Sequence, residues 1–220
     1  PGFIETLIVQ LWYPMVVATN SNHLRQSIEY YLRETTDLTD LEIAQEALFK
    51  LHDFGFRGVS SVESAGIGGA AHLTAFLGTD TQQSLVHANQ FYGAPGGNPD
   101  LVHGYSIPAS EHSVMTSFIK RQADGAVDIK ASNQSAISGL LKFVEDTVTS
   151  MLAMVVDSYD PERFILEGIQ DPVNKDRIKS LATTQDKNFV FRPDSGIPAD
   201  EVVKTVRHLA KIFGFTKNKK

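Results

Sequence analysis

Two short apolar runs in this chain stop abruptly at charged turns, and that pattern restricts the fold more than any other feature. Phe189-Val190-Phe191 runs into Arg192-Pro193-Asp194-Ser195-Gly196, and Leu152-Ala153-Met154-Val155-Val156 runs into Asp157-Ser158-Tyr159-Asp160. Runs with no polar alternation are expected of strands covered on both faces, as in a parallel sheet flanked by helices. Pro193 holds Arg192 extended and cannot extend a ladder, so the strand ends there. A guanidinium and carboxylates are thereby placed at strand carboxyl ends, where α/β folds bind their ligands. A looser version is Tyr105-Ser106-Ile107-Pro108-Ala109-Ser110-Glu111-His112.

Helix signals alternate with these strands. Ser21 caps a helix to Arg33, with Leu24, Ile28 and Leu32 on one face. Thr39 and Glu42 form a capping box. Ser61 opens a small-residue segment, Ala65 to Ala71, that Gly78 closes. Asp80 caps a segment to Tyr92, and Ser110 caps Glu111 to Lys120. Further helices are expected from Ile137 to Thr149, after Asp160-Pro161, and from Pro198 to Phe213 with Gly214 as the stop. The expected strands are Gly55 to Ser60, Gly104 to Pro108, Leu152 to Val156 and Phe189 to Phe191, with surface loops at Asn98-Pro99 and from Ala123 to Gln134. Repeated strand–turn–helix units argue for an α/β fold with parallel βα pairing in a single domain.

Composition narrows the function classes. The chain has 220 residues, is 42% hydrophobic, and carries a net charge of −6. The acidic balance argues against a dedicated nucleic-acid binder. With no cysteine there is neither a disulfide nor a thiolate metal site, which fits a cytoplasmic setting. The apolar run Leu7 to Val17 contains Gln10 and Pro14 and reads as too short to span a bilayer. No membrane partner is expected, and residues 215–220 read as a solvated, disordered tail.

Several residues carry chemistry. Arg57, between Gly55 and Gly58, reads either as a phosphate-binding arginine with aromatics beside it for ring stacking or as a surface arginine on a turn. Gly66-Ile67-Gly68-Gly69 reads as close helix packing, because no apolar strand leads into it as a dinucleotide fingerprint requires. His112 is suited to proton or phosphoryl transfer, or simply opens a helix. Asp157 and Asp194 follow apolar strands and suit Mg²⁺ or ribose hydroxyls. There is no Walker A loop, nucleophile elbow or His-Glu-x-x-His.

Read together, six blocks resemble the nicotinamide phosphoribosyltransferases, a type II phosphoribosyltransferase family. They are Trp12-Tyr13-Pro14 with Val17-Ala18-Thr19-Asn20-Ser21, Leu51 to Ser61, Gly78 to Thr81, Gly104 to Ser113, Asp157 to Asp160, and Arg192 to Gly196. The resemblance implies part of an irregular βα barrel, incomplete at both ends, in a homodimer with sites between subunits. It implies pentosyl transfer in NAD salvage: nicotinamide and 5-phosphoribosyl 1-pyrophosphate give nicotinamide mononucleotide and pyrophosphate, with Mg²⁺ as the metal and ATP consumed through a phosphohistidine. By position, Phe54 matches the aromatic that stacks on the pyridine ring, and Asp80 the carboxylate that accepts from the carboxamide. Arg57 and Arg192 match phosphate-binding arginines, Arg192 also lying near the carboxamide. His112 matches the phosphorylated histidine. Asp157 and Asp194 match acidic residues near ribose and metal, and Ser106 and Ile107 match pocket walls.

Two departures accompany the resemblance. Ala153 stands where the family has a serine near the carboxamide. The chain also has about half the family's length, so it is expected to lack a stacking aromatic lent across the dimer and a glycine-rich phosphate loop, and to be inactive or weak alone. Nicotinate phosphoribosyl transfer and a non-catalytic dimerising fragment are the alternative functions.

Overall fold

The computed structural model describes residues 2–93 and 102–217. The expected loop at Asn98-Pro99 and the last three residues of the expected tail lie outside them. The chain divides into two compact units, one running to Ser106 and the other from Ile107 to Thr216. It is mostly helical, with short parallel strands.

The first unit begins with α1 (Gly2–Thr35), a single helix of 34 residues with Pro14 inside it. This corrects the expectation of a helix beginning at Ser21, which is instead buried within α1. Proline costs only one backbone bond and a local kink; contacts of α1 with two later helices, α2 (Asp40–Ala47) and α3 (Val62–His72), favour continuation. By length and composition alone α1 is long and apolar enough to cross a membrane, which also corrects the reading of its apolar run as too short. The core helix of a soluble protein and a signal sequence pass the same test, and large side chains including Leu7, Leu11, Trp12 and Met15 stand exposed on α1. The Thr39–Glu42 capping box opens α2, and Ser61 accepts from Ser64 N–H at the start of α3.

Helix α3 ends at His72, not at Gly78. Its small residues do what close packing requires. A Cβ on Gly68 would lie 2.4 Å from the Tyr13 hydroxyl of α1, and one on Gly69 would lie 2.4 Å from Ser84 Cβ of α4 (Gln82–Tyr92). The expected strand from Gly55 to Ser60 is not formed, since Gly55–Gly58 is a 3-10 turn. The strand is β1 (His52–Asp53), parallel to β2 (Gly78–Thr79) with His52 opposite Gly78. Tyr105 makes a parallel bridge to Gly78. The segment expected to be a strand from Gly104 to Pro108 therefore contributes isolated pairing only.

In the second unit α5 (His112–Ser117) starts after Glu111 with no side-chain cap. α6 (Ile129–Asp146) begins earlier than expected, because Asp128 accepts from Ala131 N–H. Residues 129–134 are thus helix rather than loop. β3 (Met151–Val155) and β4 (Asn188–Arg192) pair in parallel, with Val155 opposite Arg192, as the apolar runs anticipated. α7 (Pro161–Arg163) is capped by Asp160 and passes into a π-helical stretch, Phe164–Ile169. α8 (Pro172–Thr184), with no counterpart in the sequence expectations, is capped by Asp171. α9 (Pro198–Phe213) ends at Gly214 as expected.

The core of this unit packs Ile137, Leu141 and Val144 of α6 against Met154 and Val155 of β3, Phe164 and Ile169, and Ile178 and Leu181 of α8. The spacing 137, 141, 144 is one stripe of a helix. Ile137 is fully buried, and removing most of its side chain leaves a cavity. Ile137→Ala is expected to cost about 2–5 kcal/mol, read as a lower urea midpoint at unchanged slope. Val173→Ala, at a position 65% exposed, is expected to stay within about 0.5 kcal/mol of the parent.

Candidate functional site

In the first unit the candidate side chains gather at the ends of β1 and β2. His52 and Phe54 lie two residues apart, the spacing that puts side chains on one face of an extended chain. Their rings meet with centroids 4.6 Å apart and planes tilted by 32°. His52 Nε2 lies 3.0 Å from Asp80 Oδ1, and since a carboxylate only accepts, Nε2 is the protonated nitrogen. The Ser106 hydroxyl donates to the same oxygen. Asp80 N–H donates to Asp53 O at 2.9 Å, which ties its backbone to β1. Asp80 does not cap α4, because its carboxylate is committed to His52 and Ser106, and Thr81 holds the cap position with no side-chain bond. Phe54 and Arg57 are exposed, with Arg57 in the 3-10 turn.

Beneath this cluster is a cavity of about 270 Å³, whose lining includes Tyr13, Leu51, Asp53, Phe54, Gly69 and His72. Burial pushes the His72 imidazole below its ordinary value, while its bond to Gly78 O and the nearby Asp53 charge pull it up less strongly. His72 is therefore the neutral form at physiological pH and donates to Gly78 O at 3.1 Å.

In the second unit a different cluster surrounds Asp157, whose side chain is only 3% exposed. Its Oδ1 meets His112 Nε2 at 3.1 Å. Its Oδ2 accepts from the Ser195 hydroxyl at 2.6 Å and from Asp194 N–H at 3.2 Å. Burial alone pushes this carboxyl up, but the Ser195 hydroxyl, His112, and the backbone N–H groups of Asp157 and Asp194 together outweigh it. The carboxyl is held below its ordinary value. Arg192 donates to Asp194 Oδ1 at 2.8 Å and to Ser110 O at 3.1 Å.

Ser110 was expected to cap α5. Instead it is buried, with its hydroxyl accepting from Val155 N–H and its backbone N–H donating to Ala153 O. It thus ties the chain ahead of His112 to β3. Ala153 is buried and paired with Val190. Ile107, another expected pocket-wall residue, is exposed.

The expected site residues thus fall into two groups. Phe54, Asp80 and Ser106 are linked through His52, with Arg57 in the adjoining turn, and His112, Asp157, Asp194 and Arg192 form one hydrogen-bonded set. Sequence reading passed over His52 and Ser195, which the structure joins to these two groups. The i, i+2 relation to Phe54 was the available signal for His52; for Ser195 there was only its place in a turn. Among the described residues no three His, Asp or Glu side chains gather as a ready metal site.

Because the Asp157 carboxyl is depressed, its ionised form stabilises the fold at neutral pH. That contribution is complete above the ordinary value of 3.8 and is lost as pH falls through the lower folded value. Parent stability is expected to drop more steeply than that of Asp157→Asn below about pH 4, measured as urea midpoints over an acid series. Parallel curves would contradict the assigned environment.

The profile of the nicotinate phosphoribosyltransferase family matches residues 49–220. A protein named nicotinamide phosphoribosyltransferase in Xanthomonas campestris pv. campestris (strain 8004) is 40% identical over 221 residues, covering all of this chain and 42% of that protein. Proteins of the same name in Acinetobacter baylyi and Mycoplasma pneumoniae are each 30% identical, covering 90% and 89% of this chain and 35% of each relative. The chain thus spans about two fifths or less of the length of these curated relatives.

Proposed function

The chain belongs to the nicotinate phosphoribosyltransferase family, and we propose that it supplies part of an enzyme that joins nicotinamide to 5-phosphoribosyl 1-pyrophosphate. The observation that carries the choice of substrate is the pairing of an exposed aromatic, Phe54, with the Asp80 carboxylate through His52. An aromatic face suits a pyridine ring, and a carboxylate suits a primary amide, whose N–H groups donate. Nicotinate would bring a second negative charge to Asp80 with no proton between the two, so the site favours the amide.

In the reaction the pyridine nitrogen forms a bond to the anomeric carbon as the bond from that carbon to the pyrophosphate oxygen breaks. Pyrophosphate leaves with the electron pair, and the ring acquires the positive charge. Stacking on Phe54 orients the nitrogen lone pair. Arg192 and Arg57 are the guanidinium groups suited to the phosphates. Asp194, nearly half exposed, is the carboxylate that would hold Mg²⁺, an ion usually bound by one or two carboxylates with substrate phosphates completing its shell; Asp157, 3% exposed with both oxygens hydrogen-bonded, would hold the Asp194 backbone in place. When bound, Mg²⁺ neutralises charge developing on the departing pyrophosphate.

His112 is the acceptor for a phosphoryl group from ATP. Its Nε2 proton is committed to Asp157, so Nδ1 carries the lone pair that attacks the γ-phosphorus, and ADP departs with the electrons of the broken bond. Its hydrogen bonds outweigh the cost of burial and keep Asp157 ionised, which supports positive charge on the imidazole as the bond forms.

The full gene product bearing these residues is expected to form nicotinamide mononucleotide from nicotinamide and 5-phosphoribosyl 1-pyrophosphate. In it, Asp80→Asn is expected to lower kcat/KM for nicotinamide about 10–100-fold, the loss of a hydrogen bond to a charged group, and to narrow the preference over nicotinate. A parent enzyme that prefers nicotinate would overturn the assignment.

A further inference from the structure

Asp80 carries the proposed choice between amide and acid, yet nothing in its own backbone fixes the direction of its carboxylate. Two donors do so, and both reach the same oxygen. His52 Nε2 lies 3.0 Å from Oδ1, and the Ser106 hydroxyl also donates to Oδ1. Among the described residues both side-chain donors to Asp80 use Oδ1, which leaves Oδ2 for a ligand N–H.

The fold makes unusual room for the His52 ring. In the parallel register His52 is opposite Gly78. A Cβ at position 78 would sit 2.7 Å from His52 Nδ1 and 3.4 Å from Cγ. Any side chain there would drive the ring away from Asp80, so glycine is required by close approach. Gly78 is itself held from behind, because buried His72 donates to its carbonyl. The opposite side of His52 is occupied by Phe54, at 4.6 Å between centroids and 32° between planes. One ring is therefore fixed between a glycine floor, an aromatic and a carboxylate.

We infer that His52 is a specificity-determining positioning residue: its Nε2–H holds the Asp80 carboxylate in the orientation that accepts a carboxamide and refuses a carboxylate. This deepens the reading of Asp80 given above and rests on it. His52 acts through Asp80 and Phe54 rather than on the reacting atoms, so its effect belongs in nicotinamide KM and in amide-over-acid preference more than in kcat.

Two substitutions separate the ring from its proton. His52→Phe keeps an aromatic against Phe54 and loses the donor. His52→Gln loses the ring, but its side-chain nitrogen reaches about as far as Nε2 and restores the donor. Measured in the full gene product with nicotinamide and nicotinate as competing substrates, H52F is expected to raise nicotinamide KM about tenfold and lower the preference for the amide by a similar factor. H52Q is expected to recover most of that preference. In an Asp80→Asn background, H52F is expected to change the preference less than about twofold, since the group it orients has lost its charge. Equal losses in H52F and H52Q would make His52 a packing residue and overturn the inference, as would unchanged preference in H52F while D80N alone shifts it. If D80N itself leaves the preference untouched, the reading of Asp80 falls and takes this inference with it. Thermal midpoints of both variants identify any loss that comes from unfolding.

Discussion

Asp157 is almost wholly withdrawn from solvent and remains ionised, and the carboxyl end of the second unit's sheet is arranged around that requirement. A buried carboxylate without donors takes up a proton. Here, besides the Asp157 backbone itself, the donors are His112 at the start of α5, the Ser195 hydroxyl beyond β4, and the backbone at Asp194. Each is held by structure that the apolar core fixes. β3 and β4 must pair in register for the turns after them to face one another. Ser110 must be bonded to β3 for His112 to begin its helix beside Asp157. The core residues Met154, Val155 and Phe164 thus act on the chemistry indirectly, by fixing the strand from which the carboxylate projects.

The first unit solves a smaller problem by a different means. β1 and β2 contribute two residues each, too few for a ladder to be stable by itself. What locates His52, Phe54 and Asp80 is the packing of α3 against α1 and α4 through glycine and alanine. Small residues let the helices approach closely. The close approach brings His72 beneath the carbonyl of Gly78, and Gly78 in turn admits the His52 ring. The run of small residues in α3 is therefore connected to the placement of Asp80 without touching any ligand.

How much was legible in the sequence follows from where each signal lay. β3 and β4 were readable because Leu152 to Val156 and Phe189 to Phe191 are apolar throughout, and the chemistry-bearing residues beyond them, Asp157, Arg192 and Asp194, came with the strand ends. The caps at Thr39, Ser61 and Asp160 were readable because their partners lie within three residues. Asp80 and Ser110 also looked like caps, but their side chains are taken by partners 26 to 45 residues distant, which no local pattern reveals. β1 was missed because a polar pair, His52-Asp53, carries no apolar signal. The first turn of α6 was missed because Ser132, Asn133 and Gln134 read as loop, although Ser132 and Asn133 are buried. The resemblance to phosphoribosyltransferases drew on spacing across the whole chain, so it singled out Asp80 and Phe54, whose side chains both touch His52. It left out His52, which bridges them.

Arg192 and Asp194 face each other across 2.8 Å, with about a quarter of the arginine side chain and nearly half of the aspartate exposed. A pair so accessible is worth on the order of 1 kcal/mol or less, so it opens cheaply. It is also electrically neutral. A lone anion that captures Arg192 strands the carboxylate, and a lone cation that captures Asp194 strands the guanidinium. A ligand bearing both signs, such as a divalent cation chelated by a diphosphate, leaves neither stranded. An exposed ion pair of this kind exchanges for a ligand carrying both charges at less cost than for an ion carrying one.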